Sequence, residues 1–254
     1  MNNPKVTVIT ICYNAVNEIE KTICSVISQT YKDVEYIIID GGSSDGTVGV
    51  LKKYQDKISK WISEPDNGIY DAINKGIKMA SGEWINCMNA GDVFHDKFVL
   101  ENIFCTHIPN NVSVLYSNHI KIKQTGLKVL GINDMNSHVW GFNHQSVIYK
   151  RCLHKQYGYY LNDKKKLLIS DTLFFAPIPD EEKMKVDYII ADYAEGGASG
   201  LVAMDIYKQN LCAEYIYKKV SFESIVFTYY KRRLKMMIPE NIRCLIRLLL
   251  KRGV

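Results

Sequence analysis

A chain of 254 residues, 47% of them hydrophobic, can bury a full core, either as one large α/β domain or as a domain with an appendage. No apolar run approaches the roughly 20 residues that a membrane-spanning helix needs. The seven cysteines (12, 24, 87, 105, 152, 212 and 244) are odd in number, scattered and without a CxxC pair, which argues against a disulfide frame or a structural zinc and for a reducing cytosol. The net charge of +5 is asymmetric: from Tyr215 onward ten Lys and Arg face only Glu223 and Glu240, giving +8, and the preceding 214 residues carry −3.

The opening MNNPKVTVITICYN has one Lys and no small-residue cleavage site, so it reads as a first strand rather than a signal peptide. Within it, Lys5 to Ile11 is β-branched and apolar nearly throughout, the pattern of a central parallel strand covered on both faces. Asn14 to Asn17 supplies turn residues, and Glu18 to Gln29 has Ile19, Ile23, Val26 and Ile27 at helical spacing. A second buried strand, Val34 to Ile39, ends in Asp40-Gly41-Gly42-Ser43-Ser44-Asp45-Gly46-Thr47 before a helix over Val48 to Tyr54. That loop has two carboxylates, three glycines and three hydroxyls, but neither the GxGxxG nor the GxxxxGK[ST] spacing, so neither a dinucleotide fold nor a P-loop is expected.

Ile58 to Ser63 is a third short strand, followed by the breakers Glu64-Pro65-Asp66-Asn67-Gly68. The helix Ile69 to Ala80 sets Ile69, Ala72, Ile73, Ile77 and Ala80 on one face and Asp71, Asn74, Lys75 and Lys78 on the other. On spacing alone, Asp71 and Lys75 are an i,i+4 pair worth about 0.3–0.5 kcal/mol. Glu83 to Met88 is a fourth buried strand, breaking into Asn89-Ala90-Gly91-Asp92. The resulting β-α-β-α-β-α-β repeat predicts an α/β fold with a mostly parallel central sheet flanked by helices, and ligands bind at the carboxyl edge of such sheets. Asp92 at that edge can hold a divalent ion against a phosphate, or can cap a helix starting near His95.

The blocks VTVITICYN, VEYIIIDGGSSDGT, EPDNGIYDAINKGIKMASGEWI and MNAGD, in this order and spacing, resemble the nucleotide-sugar half of the family 2 glycosyltransferases of GT-A fold. The wording of EPDNGIYDAINKG is closest to bacterial enzymes that build exopolysaccharide, capsule or O-antigen units. The resemblance implies that Thr10, Cys12 and Tyr13 touch base and ribose, that Asp40 reads the base edge, and that Asp45 lies near the base pocket. For Asp45 a plain helix N-cap is the alternative. It places Asp71 and Lys75 on the helix facing the diphosphate, and matches Asp92 to the last acid of the metal-binding D-x-D motif. Asn89 and Gly91 stand where further acids are expected, so Asn89-Ala90-Gly91 is a weakened donor and metal segment with Asp92 as its one carboxylate. Mn²⁺ or Mg²⁺ is the implied cofactor.

The second half is less regular. Ser113 to Lys123 and Leu127 to Ile132 read as a hairpin about Gln124-Thr125-Gly126. His144 and Gln145 precede the apolar run Val147 to Tyr149, and the resemblance puts an HQ pair on the active-site floor; a structural histidine is the alternative. Leu167 to Ser170 runs into Asp171, which the resemblance implies is the base that takes the acceptor's proton in inverting transfer. Asp163, in a polar stretch, and Asp187, opening a strand-like run over Val186 to Ile190, are competing acids that look structural. Gly196, Gly197 and Ser199 resemble the family's GGxS loop, which closes over the donor diphosphate; a plain helix-entry loop is the alternative. Thr172 to Lys185, with two prolines, does not continue as a long helix.

Leu201 to Val254 looks helical, interrupted at Pro239, with Arg243, Arg247 and Lys251 repeating beside Leu245, Ile246, Leu248, Leu249 and Leu250. Basic residues among bulky apolar ones fit a helix lying on an anionic leaflet, and a helix packed on the domain with its cations in solvent is the alternative. No nucleic-acid module is recognisable. The expected organisation is therefore a GT-A domain over 1–200, with a nucleotide-sugar half over 1–105 and an acceptor half over 106–200, and a basic helical tail over 201–254. The expected function is inverting transfer of a sugar from a nucleotide diphosphate, a UDP-sugar, to a glycan or undecaprenyl-diphosphate-linked acceptor, at the inner face of the cytoplasmic membrane. A donor-binding but catalytically idle partner subunit is the alternative that the weakened acidic motif leaves open. A nucleotidyltransferase would need a basic glycine-rich loop after the first strand, and Cys12 to Asn17 offers none.

Overall fold

The computed structural model describes residues 4–135, 142–163, 167–195, 203–217 and 221–237. The first half follows the predicted repeat: β1 (Val6–Cys12), α1 (Ile19–Ile27), β2 (Val34–Asp40), α2 (Thr47–Lys53), β3 (Lys60–Ser63), α3 (Ile69–Met79) and β4 (Trp84–Cys87). There follow β5 (Val93–Phe94), α4 (Val99–Phe104), β6 (Val114–Tyr116), β7 (His119–Ile122), β8 (Lys128–Gly131), β9 (Val147–Lys150) and α5 (Leu153–Tyr157). The described chain closes with α6 (Ser170–Phe175), β10 (Lys183–Lys185), β11 (Ala191–Ala194), α7 (Ala203–Tyr217) and α8 (Phe222–Met237).

Seven strands form the main sheet in the order β10-β6-β9-β4-β1-β2-β3, and four form a smaller sheet, β5-β11-β7-β8. The strands β3, β2, β1 and β4 are mutually parallel, with Cys12 beside Asp40 and Asp40 beside Ser63, so their carboxyl ends share one edge. β9 enters antiparallel between β4 and β6, and β10 runs parallel to β6.

The central strand β1 is buried along its whole length because both faces are covered. Val6 and Val8 pack with Ile19, Ile23 and Val26 of α1 and with Leu100 and Ile103 of α4. Ile9 and Ile11 pack on the other face with Ile73 and Ile77 of α3. Each such side chain contributes about 1.5–3 kcal/mol of burial, so the sheet edge is held by a rigid, two-sided core.

Four local expectations are corrected. The stretch 113–123 is two strands, because the chain leaves the main sheet after Tyr116 and joins the smaller one at His119; β7 then pairs with β8 in the predicted hairpin. The helix expected near His95 begins at Val99, and Asp96, not Asp92, accepts the Phe98 N–H at its entry. The strand-like run 186–190 is not regular, and the strand begins at Ala191. On α3 the buried face is turned from the predicted one: Ile69 is exposed, and Tyr70 and Asn74 are buried. Asn74 earns that place by pairing both ways with the Tyr160 backbone, donating to its carbonyl at 2.7 Å and accepting from its N–H at 3.0 Å.

Candidate active site

The loops after β1 and β2 are stitched into one surface. Asn14, in the left-handed region at φ 47°, donates its backbone N–H to Ser43 Oγ, and its side chain accepts from the Ser44 N–H. Asp45 accepts from the Val16 N–H and from the N–H and hydroxyl of Thr47, so it ties the α2 entrance to the first loop. Tyr13 stands 65% exposed at this surface, an open aromatic face at the end of β1.

Asp40 has no exposed surface. Burial opposes its charge, but the Ser43 and Ser63 hydroxyls, the Ser43 N–H and the Cys12 thiol overcome that and hold its pKa below the ordinary carboxylate value. The Ser63 hydroxyl at 2.6 Å and the Ser43 N–H at 2.9 Å donate to Oδ2 and the Ser43 hydroxyl to Oδ1 at 2.5 Å, so both carboxylate oxygens accept from the protein. Cys12 is buried, and burial followed by the Asp40 charge pushes its thiol up, leaving it a neutral donor. Thr10 is fully buried with its hydroxyl 3.1 Å from Tyr36 Oη, inside the sheet rather than at its edge. Sequence reasoning passed over Asp66, whose Oδ2 would lie 2.5 Å from a Cβ added at Gly41, so glycine is what lets this carboxylate approach the end of β2.

Lys75 is turned toward the same turn. Its Nζ is 2.8 Å from Glu64 Oε1 and 3.0 Å from the Pro65 carbonyl, against 3.9 Å from Asp71. The pairing expected between Asp71 and Lys75 is therefore secondary, and Asp71 accepts from the Asn67 N–H instead.

After β4 the chain turns through Gly91, whose φ of +99° suits glycine. Its N–H donates to Thr22 Oγ1, which in turn donates to the Asp92 carbonyl at 2.7 Å. Asp92 is 7% exposed, and burial pushes its carboxyl up to about 7 despite the opposing Ala194 N–H and Gln145 amide. Those donors sit at 3.1 Å on Oδ1 and 2.8 Å on Oδ2. Asn89 Oδ1 is buried and accepts no hydrogen bond from a described residue. A desolvated carboxylate with no salt bridge among the described residues, close in sequence to an amide oxygen with no donor among them, offers oxygen ligands of the kind a hard divalent cation takes when phosphate oxygens and water complete its shell. Among the described residues no group of three His, Cys, Asp or Glu could hold a metal by itself.

His144 and Gln145 occupy a single turn before β9 and face two ways. Gln145 reaches Asp92, while His144 is buried and bonded to Tyr160, and burial lowers the histidine's pKa against the opposing charge of Asp171. His144 belongs to a buried relay. His154 Nδ1 donates to the Gly158 carbonyl, so its Nε2 must accept from Tyr149; Tyr160 donates to Tyr149, and His144 Nε2 donates to Tyr160 at 3.0 Å. The relay sets each ring's tautomer from one backbone carbonyl. Asp171 sits in the first turn of α6, half-buried, with Tyr70 Oη 2.9 Å from its Oδ1. Asp163 and Asp187 are exposed. Gly196, Gly197 and Ser199 lie outside the described residues, as does the basic stretch around Arg243, Arg247 and Lys251.

A parallel half-sheet with acidic loops at its carboxyl edge, continued by an antiparallel strand that delivers a His-Gln turn, is the GT-A architecture. TarS of S. aureus, solved with UDP-GlcNAc, shares it with a TM-score of 0.66 at 15% identity over 91% of this chain and 73% of that one. The mannosyltransferase PcManGT of Pyrobaculum calidifontis, solved with GDP-Man and Mn²⁺, does so with a TM-score of 0.67 at 15% identity over 87% and 66%. The sequence model described as Glycosyl transferase family 2 matches residues 7–167, and the chain belongs to that family. A glycosyltransferase of Mycobacterium tuberculosis is 42% identical over 92 residues, which are 36% of this chain and 35% of that protein. A PGL/p-HBAD biosynthesis glycosyltransferase of Mycobacterium bovis is 26% identical over 141 residues, 54% of this chain and 55% of that protein. The chain thus spans between a third and just over half of these relatives.

Proposed function

We propose that this protein is an inverting glycosyltransferase that moves a sugar from a nucleoside diphosphate, a UDP-sugar, to a hydroxyl of a lipid-linked surface glycan. The observation that carries this reading is the His144-Gln145 turn, from which Gln145 donates to the buried Asp92 carboxylate at 2.8 Å while His144 is held on Tyr160, beside the ring cluster into which Phe174 and Phe175 of the Asp171-bearing helix pack. One acid serves the departing diphosphate and the other the incoming hydroxyl.

On this reading Tyr13 stacks on the base at the end of β1, and the Asp40, Asp45 and Asp66 loops shape the pocket beneath it. Asp40, fully buried with three donors from Ser43 and Ser63 on its carboxylate, acts by holding those two serines in place. Lys75 and Asp71 fix the Glu64–Asn67 turn at the N-terminus of α3. Asp92 and Asn89 would hold Mn²⁺ or Mg²⁺, which when bound offsets the negative charge that grows on the leaving diphosphate. Asp171 takes the acceptor proton as the new C1–O bond forms. His144, neutral and fixed as the Nε2–H tautomer, forms the floor between them. The Gly196, Gly197 and Ser199 loop closes over the donor, and the basic tail rests on the inner membrane surface; among the described residues no helix is long and apolar enough to cross a membrane.

Calorimetric titration of UDP, GDP, CDP and dTDP into wild type and Asp92→Ala, each with Mn²⁺ and with chelator, tests the donor half. UDP binding that needs Mn²⁺ and is lost in Asp92→Ala is the expected result. Preference for another nucleotide would overturn the UDP assignment, and binding of none would move the idle-partner reading forward.

A further inference from the structure

Tyr70 joins the donor and acceptor sides of the site at one hydroxyl. It stands in the first turn of α3, directly after the Asp66 turn, and is 6% exposed. Its Oη lies 2.9 Å from Asp171 Oδ1 and 3.0 Å from the Leu168 carbonyl oxygen. A phenol has one proton and can serve only one of these acceptors at a time. While Asp171 is charged, the charge-assisted bond takes it. When Asp171 is protonated the Leu168 carbonyl becomes the better acceptor, so the hydroxyl has a partner in either state. Burial and the Asp171 charge push the Tyr70 phenol well above its ordinary pKa, which keeps it a donor throughout.

The second acceptor is itself anchored. The Leu168 N–H donates to Gln209 Oε1 of α7 at 2.8 Å, so the residue is held at its two flanking peptides, from α7 at its N–H and from α3 at its carbonyl. Asp171 Oδ1 also receives the Thr172 N–H at 2.9 Å. Among the described residues no hydrogen bond reaches Oδ2.

We propose that Tyr70 is the positioning residue of the acceptor-activating carboxylate, its hydroxyl holding Asp171 Oδ1 when charged, swinging to the Leu168 carbonyl when protonated, and keeping Oδ2 aimed at the acceptor. This rests on the reading of Asp171 as the base. In the step it serves, the acceptor O–H proton passes to Oδ2 as the acceptor oxygen bonds to C1. The C1–O bond to the diphosphate breaks with its electron pair on the departing nucleotide, and Asp171 later releases its proton to solvent.

Tyr70→Phe keeps the ring and removes only the hydroxyl. Wild type, Tyr70→Phe and Asp171→Asn are compared in UDP binding with Mn²⁺, and in UDP release from UDP-GlcNAc and UDP-glucose, to water and to octyl glycosides, across about pH 5 to 9. Crystal structures of wild type and Tyr70→Phe complete the set. Tyr70→Phe is expected to bind UDP within about twofold of wild type and to lose about tenfold to a hundredfold in kcat, since a hydrogen bond to a charged group is lost. The acid limb of its pH profile should move toward higher pH, because a donor to the charged base is lost, and its Asp171 side chain should leave the wild-type position. An unmoved acid limb, a wild-type kcat, or Asp171 unchanged in the crystal would each overturn the proposal, and the crystal comparison decides even if neither donor turns over. Full activity in Asp171→Asn would remove the base reading and this proposal together, whereas an inactive Asp171→Asn beside a wild-type Tyr70→Phe would remove this proposal alone.

Discussion

Gln145 Nε2 donates to Asp92 Oδ2 at 2.8 Å, while Gln145 Oε1 accepts from Asn143 Nδ2 at 2.8 Å, so the amide is fixed at both ends and cannot rotate away from the carboxylate. A residue from the second half of the chain thereby sets the orientation of the principal acid in the first. Partners that orient a ligand-bearing carboxylate are commonly worth about 10–100-fold in metal affinity. Gln145→Ala should weaken Mn²⁺-dependent UDP binding by about tenfold in calorimetry and leave UDP binding in chelator unchanged.

Asn89 makes a different prediction because its Oδ1 accepts nothing from the described protein. A buried acceptor without a donor costs about 1–3 kcal/mol, so Asn89→Ala should leave thermal stability unchanged or raised. The same substitution should reduce Mn²⁺-dependent UDP affinity. A loss of stability with intact binding would mean that the oxygen serves the fold and not a cation.

Glu35 locks the opposite edge of the sheet. Its buried carboxylate accepts from Thr7 Oγ1 at 2.8 Å, the Ser81 N–H at 2.7 Å and Lys60 Nζ at 2.9 Å. Burial alone would raise its pKa, but the Ser81 N–H, Lys60, Thr7 and the Ser81 hydroxyl more than offset that and bring it to about 2. A depressed carboxylate contributes stability that is complete above the unfolded-state value of about 4.5 and is lost as pH falls toward 2. Denaturant midpoints should therefore drop between about pH 5 and 2 in wild type, and Glu35→Gln should be less stable at neutral pH by about 2–3 kcal/mol with a flatter acid dependence.

The relay from Gly158 to His144 predicts a second acid sensitivity at higher pH. Burial lowers the His154 pKa to about 4, so the folded protein holds it neutral while the unfolded chain binds a proton near 6.5. Its stabilising contribution is complete above about pH 6.5 and fades as pH falls toward 4. Tyr149→Phe removes the donor to His154 Nε2 and the acceptor for Tyr160, and should cost about 1–3 kcal/mol at neutral pH by denaturant unfolding.

The β1-to-β4 repeat was legible because its signals are local: β-branched runs, breakers between them, and helical spacing with small residues at the ends. The position of Asp92 at the sheet edge followed from the same signals. What sequence could not show were pairings set by distant chain. Nothing in Val147 to Tyr149 says that it runs antiparallel between β4 and β6, and so nothing ties Gln145 to Asp92. Periodicity put Asn74 outward on α3, yet the Tyr160 backbone claims it from 86 residues away. Tyr70 carried a faint signal, a polar-tipped aromatic between Ile69 and Asp71, but its role depends on Asp171, 101 residues later. For Asp40 the resemblance implied a base-edge role, and its serine partners were not legible because they come from two separate loops.

The insertion of β9 beside β4 also decides how this protein can be taken apart. β4 is an interior strand whose second neighbour is supplied only by residues 147–150. A fragment ending near residue 105 would expose a raw strand edge along Trp84–Cys87 and invite pairing between copies. Separate expression of residues 1–105 should give aggregates, and a split protein would reassemble only if both fragments are made together, so that the complementing strand is on hand before the edge finds another.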